Sequence, residues 1–169
     1  MKKIIGIDVG GTVIKGVVIT ETGEVLVQKT LPTNDKGSFS EWKEITRQLV
    51  QELKSACKET SCLTGLAAPG IPDELHSAIS FMPGRLEGIE NFNWGNYFGD
   101  EEVFVLNDAH AALMAESSFG AGKDLDNIVL LTLGTGVGGG ILIDRKLYTG
   151  LGLMAGHFGH ITIDASRHE

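Results

Sequence analysis

Residues 5–18 read Ile-Gly-Ile-Asp-Val-Gly-Gly-Thr-Val-Ile-Lys-Gly-Val-Val. No other stretch limits the fold so strongly. Two apolar runs flank an acid, a glycine pair and a threonine, which predicts two β-strands joined by a tip without bulky side chains. Backbone N–H groups at such a tip can gather around phosphate oxygens, and glycine permits the backbone angles that aim them together. Asp8 would repel a phosphate directly. It points instead to a magnesium ion, held through water, that bridges the phosphates. Thr12 adds a hydroxyl donor. The plainer alternative is that the glycines only turn the chain, and one short glycine motif leaves that alternative open.

The rest of the chain has the punctuation of an α/β protein. A turn at Glu21-Thr22-Gly23-Glu24 leads to a third strand over 24–31. Residues 39–56 then change period, with Phe39, Trp42, Ile45, Leu49, Val50 and Leu53 on one helical face. Ser38 and Glu41 have the form of a capping box. A short strand over 63–68 runs into the rigid loop Ala68-Pro69-Gly70-Ile71-Pro72, and residues 76–99 read as irregular. The all-apolar run 103–106 predicts a buried parallel strand, ending at Asn107-Asp108 before a helix over 109–119. A second hairpin follows. Residues 128–133 lead into a glycine-rich tip from Gly134 to Gly140, and residues 141–144 lead out.

Composition removes several function classes. Apolar residues make up 42% of 169, which predicts a globular chain. The net charge of −8, without a basic stripe, argues against a nucleic-acid partner. No apolar run approaches the roughly 20 residues that span a bilayer, so no membrane partner is expected. Cys57 and Cys62 stand five apart with no nearby His or Cys, which predicts two reduced cysteines in a cytoplasmic protein.

The chemistry gathers at a few positions. Two glycine tips, the second holding Gly134, Thr135, Gly136 and Gly138, suit the phosphates of one nucleotide better than either tip alone. Asp108 follows a buried strand, where ligands of parallel sheets collect. A carboxylate there can take the proton of a hydroxyl that attacks a phosphoryl group. Asn107 can exchange hydrogen bonds with sugar hydroxyls. Alternatively, Asn107 and Asp108 only cap the helix. His157 and His160, three apart, are either ligands or ordinary polar loop residues.

Together these segments resemble the N-terminal half of the ROK family of sugar kinases and repressors, which has the ribonuclease H-like ATPase fold of actin, hexokinase and Hsp70. The resemblance is carried by IGIDVGGTVIKGVV, LAAPGIPD, NFNW, VLNDAHAALMAE, LTLGTGVGGGILI and GLMAGHFGH, in order from residue 4 to 160. It implies a first lobe over 1–122 and the start of a second over 123–169. It implies ATP-dependent phosphorylation of a hexose or amino sugar, with Asp108 as general base. Asp8, Gly10, Gly11, Thr12, Lys15, Gly134, Thr135, Gly136 and Gly138 would bind ATP and magnesium. Gly70, Asn93, Asn107, Asp108, His157 and His160 would contact the sugar. In many members the last histidine, here His160, also ligates zinc with three cysteines further on, and this sequence lacks those cysteine partners. His157 stands where Glu is common, as in some N-acetylmannosamine kinases. The chain ends nine residues after His160, which reads as a truncation. That ending implies an inactive chain on its own, and either a homo-oligomer or association through the 126–144 hairpin. No helix-turn-helix precedes the first tip, which favours a kinase over a repressor. The rival reading is a non-catalytic, sugar-sensing regulator or an inactive fragment.

Overall fold

The computed structural model describes residues 2–33, 39–57, 62–99, 102–134 and 136–164. Ser38 of the expected capping box and Thr135 of the second tip lie outside them. The chain divides into two compact units, Met1–Asp108 and Ala109–Glu169. In chain order the first holds β1 (Lys3–Val9), β2 (Val13–Thr20), β3 (Val25–Pro32), α1 (Phe39–Cys57), β4 (Leu63–Ala68), β5 (Ile71–Pro72), β6 (Ile79–Phe81), α2 (Trp94–Phe98) and β7 (Val103–Asn107). The helix α3 (Asp108–Phe119) opens on the last residue of that unit. The second unit adds β8 (Ile128–Leu133), β9 (Val137–Ile143), β10 (Lys146–Leu147) and a single 3-10 turn, Phe158–His160.

The first unit is built on a five-stranded sheet in the order β3-β2-β1-β4-β7. β1 is antiparallel to β2 and β2 to β3, while β1, β4 and β7 run parallel. The parallel strands therefore end at one edge of the sheet, and the segments after Val9, Ala68 and Asn107 all start there. Burial alternates along β1, as a sheet with one covered face requires. Ile5, Ile7 and Val9 of β1 share a core with Ile14 and Val18 of β2, Leu66 of β4 and Val105 of β7. The helix α1 contributes Trp42, Leu49, Val50, Leu53 and Cys57, a stripe at three- and four-residue steps. Burying each such side chain stabilises by about 1.5–3 kcal/mol before chain entropy is subtracted.

Three expectations need correction. The stretch 76–99 is not wholly irregular. It contains β6 and α2, organised by Ile79, Leu86, Ile89 and Trp94 in the core rather than by a periodic pattern. The Trp94 ring lies 5.6 Å from Trp42, whose Nε1–H donates to Glu87 O at 3.1 Å. Cys57 and Cys62 are joined by a disulfide and not reduced. One closes α1 and the other immediately precedes β4, so packing of the helix beside the sheet brings the two ends together.

The third correction concerns the second hairpin. β9 begins at Val137, so Gly138, Gly139 and Gly140 are strand residues and not part of the tip. They pair across from Thr132, Leu131 and Leu130 of β8. A two-residue turn joins β9 to β10, with Asp144 at φ 48° and Arg145 at φ 61°. Both left-handed values suit the turn type whose twist matches a hairpin. Val129, Leu131 and Leu133 of β8 are exposed. Among the described residues, no helix is long and apolar enough to cross a membrane.

Candidate active site

The sheet edge of the first unit collects most of the expected residues. Asp8 lies one residue before the end of β1, opposite Lys15 of β2 and beside Ala67 of β4 in register. The tip after it is tight, since Gly10 N–H donates to Val13 O at 3.1 Å. Thr12 is exposed and Gly11 half-buried. Asp108 is exposed at the first position of α3, where the helix dipole favours a carboxylate. Burial raises the Asp8 pKa most. The Lys15 ammonium opposes that rise and the Asp108 charge adds to it. Two carboxylates thus influence one another at the edge where the glycine tip also stands.

The loop after β4 is tied to the end of β7. Asn107 is buried, and its Nδ2–H donates to Gly70 O at 3.0 Å. Gly70 has φ +106°, and a Cβ there would stand 2.7 Å from Phe81 O and from Ile79 Cγ2. Only glycine fits. Asp73 closes the adjoining turn by accepting from Ser77 N–H and Ser77 Oγ–H, each at 2.7 Å, and from Ala78 N–H. Burial pushes the Asp73 pKa up, but those hydrogen bonds and nearby His76 outweigh it and hold the carboxyl below its ordinary range. Asn93 is exposed and has another task, since its Oδ1 accepts from Asn96 N–H at 2.8 Å and caps α2.

The second unit carries the other candidates. Nothing lies within 4 Å of a Cβ built on Gly134 or Gly136, so there is open space at these two positions. Gly138 differs, because a Cβ there would stand 2.6 Å from Thr132 Oγ1 and 3.3 Å from Ala109 Cβ. Gly139 similarly meets the Phe158 ring, and Gly140 meets Leu113 and His110. Three of the five glycines in this run therefore serve packing. His157 is half-buried and its Nδ1 lies 3.0 Å from Met154 O; His160 is exposed in the 3-10 turn. His110 is a further candidate. It is fully buried on α3, contacts the His157 ring and bonds to Ala155 O. A lone histidine among alanines has no periodic signal, so only the fold reveals it.

Magnesium takes oxygen ligands and usually needs only one or two carboxylates beside substrate phosphates. Asp8 fits that role, because a cation would relieve both its burial and the Asp108 charge. Zinc does not fit. Among the described residues no group of three His, Cys, Asp or Glu side chains could hold a metal, and both cysteines are in the disulfide.

A family model described as the ROK family matches residues 4–169. A beta-glucoside kinase of Listeria monocytogenes is 35% identical over 94% of this chain and 53% of its own length. An N-acetylmannosamine kinase of Escherichia coli O6:H1 is 34% identical over 93% of this chain and 53% of its own. A crystal structure of a ROK family glucokinase from Streptomyces griseus, in complex with glucose and AMPPNP, aligns with a TM-score of 0.78. It is 31% identical and covers 96% of this chain and 51% of that one. The chain spans about half the length of the relatives it matches. Its fold is the actin/hexokinase-like ATPase fold of these sugar kinases.

Proposed function

Because the chain belongs to the ROK family, we propose that the protein containing it transfers the γ-phosphoryl group of ATP to a hydroxyl of a hexose or amino sugar. One observation carries the reading. Asp108 stands at the end of a parallel strand, on the sheet edge that also holds Asp8 and the Gly10-Gly11-Thr12 tip. The glucokinase named above was crystallised with both a sugar and an ATP analogue. The kinases named above act on different sugars, so the reading stays at that class. ATP as donor goes with a cytoplasmic setting.

The step follows from charge and position. As the sugar hydroxyl oxygen attacks the γ-phosphorus, its proton passes to the Asp108 carboxylate. The new O–P bond forms, the bond from γ-phosphorus to the β–γ bridging oxygen breaks, and ADP leaves. Asp108 is exposed, so a substrate hydroxyl can reach its carboxylate. Asn107, by holding Gly70 O, fixes the loop beside the base. In the first unit Gly11 offers backbone to a phosphate without side-chain obstruction and Thr12 adds a hydroxyl donor; in the second, Gly134 and Gly136 likewise leave their backbone open. A magnesium ion held by Asp8 would neutralise phosphate charge. His157 and His160 serve the sugar.

The test is Asp108→Asn in the full-length protein. The kcat should fall by about 10² or more while sugar affinity stays near that of the wild type, the pattern for a lost general base. A variant with near-normal kcat would leave Asn107 and Asp108 as a helix cap.

A further inference from the structure

We propose that His110 is the positioning residue of the sugar loop, fixing through Ala155 and the His157 ring which nitrogen His157 presents to substrate. The inference rests on the sugar-kinase reading for its consequence, though not for its geometry. His110 is fully buried, and its Nε2 lies 3.0 Å from Ala155 O. A carbonyl only accepts, so that nitrogen carries the proton. The bond spans 45 residues and joins α3 to the loop. The other hydrogen bonds described for this loop are local. Ala155 N–H donates to Thr149 O, and His157 N–H to Met154 O.

The His110 ring then meets the His157 ring edge to face, with centroids 5.6 Å apart and planes at 85°. His157 Nδ1 lies 3.0 Å from Met154 O, so by the same argument Nδ1 is the protonated nitrogen. That leaves Nε2 of the neutral ring to accept a hydrogen bond from a sugar hydroxyl. The loop beneath is seated on backbone. Gly156, at φ +92°, lies against Gly140 Cα, and the Phe158 ring occupies the space a Gly139 side chain would need. The floor sets the loop's height, whereas His110 is the polar hold that sets its register. Without it Ala155 O loses its long-range donor, and the His157 ring loses the surface that fixes its plane.

The experiment uses full-length protein labelled with ¹⁵N at its histidine rings. His110→Leu keeps the buried volume without the donor. His110→Phe keeps a ring at the His157 edge without the donor, and gives the same readings should His110→Leu not fold. His110→Gln restores an N–H donor. In the wild type His157 should give the single Nδ1–H tautomer. In the Leu and Phe variants it should give a mixture, the sugar KM should rise about tenfold, the expected effect of a buried carbonyl losing its donor, and kcat should change less than threefold. His110→Gln should bring both readings back towards wild type. A merely structural histidine would lower the active fraction and leave sugar KM and the tautomer alone. An unchanged tautomer in His110→Leu and His110→Phe overturns the proposal whatever the activity. A shifted tautomer with unchanged sugar KM overturns it as well. Failure of the kinase reading shows separately, as a wild-type protein that makes no sugar phosphate while the tautomer readings still decide the role of His110.

Discussion

Gly156 lies at φ +92° in the loop that carries His157. A Cβ there would stand 2.7 Å from Gly140 Cα, 3.1 Å from Gly139 O and 3.1 Å from Gly140 N. All three are backbone atoms, so no rotamer change relieves the contact. Two costs therefore add in Gly156→Ala. An L side chain in left-handed backbone costs about 1–2 kcal/mol, and overpacking against a fixed wall costs about 1–3 kcal/mol. The sum is about 2–5 kcal/mol against the second unit. Gly134→Ala is the matched control. Its Cβ would have nothing within 4 Å and its φ is not left-handed, so the change should stay within about 0.5 kcal/mol. Native-state hydrogen exchange on the full chain reads both effects at the β8 and β9 amides. Gly156→Ala should speed their exchange by roughly thirtyfold or more, at tenfold per 1.4 kcal/mol, and Gly134→Ala should leave it unchanged. Equal exchange in the two variants would refute the view that the loop is seated on the β9 backbone.

Asp8→Asn should raise the Tm at pH 7. Burial lifts the folded pKa of Asp8, so ionising it costs stability once pH exceeds the ordinary aspartate range, and the cost is complete above the folded value. The gap to wild type should close as pH falls below that range; a gap constant with pH would contradict this. Asp73→Ala should cost about 1–3 kcal/mol by removing the acceptor of three hydrogen bonds, read by urea denaturation. Its depressed pKa means that the wild-type advantage is present at neutral pH and is lost as pH falls through the folded value. A loss equal at pH 7 and pH 2 would count against it. Association through the 126–144 hairpin is tested by sedimentation at increasing concentration. The exposed Val129, Leu131 and Leu133 should make the wild type associate, and Leu131→Lys should make it monomeric; equal behaviour in the two would end the idea.

The first unit was the more legible part of the chain. The strands expected over 3–8 and 13–20 are short runs of branched residues around glycine, and those runs were enough to place Asp8 next to the tip. The stripe from Trp42 to Leu53 likewise announced one helix packed on one face. The second glycine run misled because its packing partners are distant in sequence. Gly138 to Gly140 pair with β8, and the side chains of Ala109, Leu113 and Phe158 pack where their Cβ atoms would stand. The α2 helix was missed because it is one short turn held by the Asn93 cap and by Trp94 in the core. The Cys57–Cys62 bond depends on where a helix ends beside a strand, which spacing alone does not reveal. His110 depended on a carbonyl 45 residues away.

The central claim is phosphoryl transfer to a sugar, and following the γ-phosphate tests it most directly. Full-length protein is incubated with γ-labelled ATP, magnesium and a panel of hexoses and N-acetylated amino sugars, and the label is traced by ³¹P NMR. The account predicts label on a sugar hydroxyl in equal amount to ADP formed, dependent on sugar and abolished to within about a hundredth by Asp108→Asn. ADP accompanied only by inorganic phosphate, at a rate indifferent to every sugar, would contradict it.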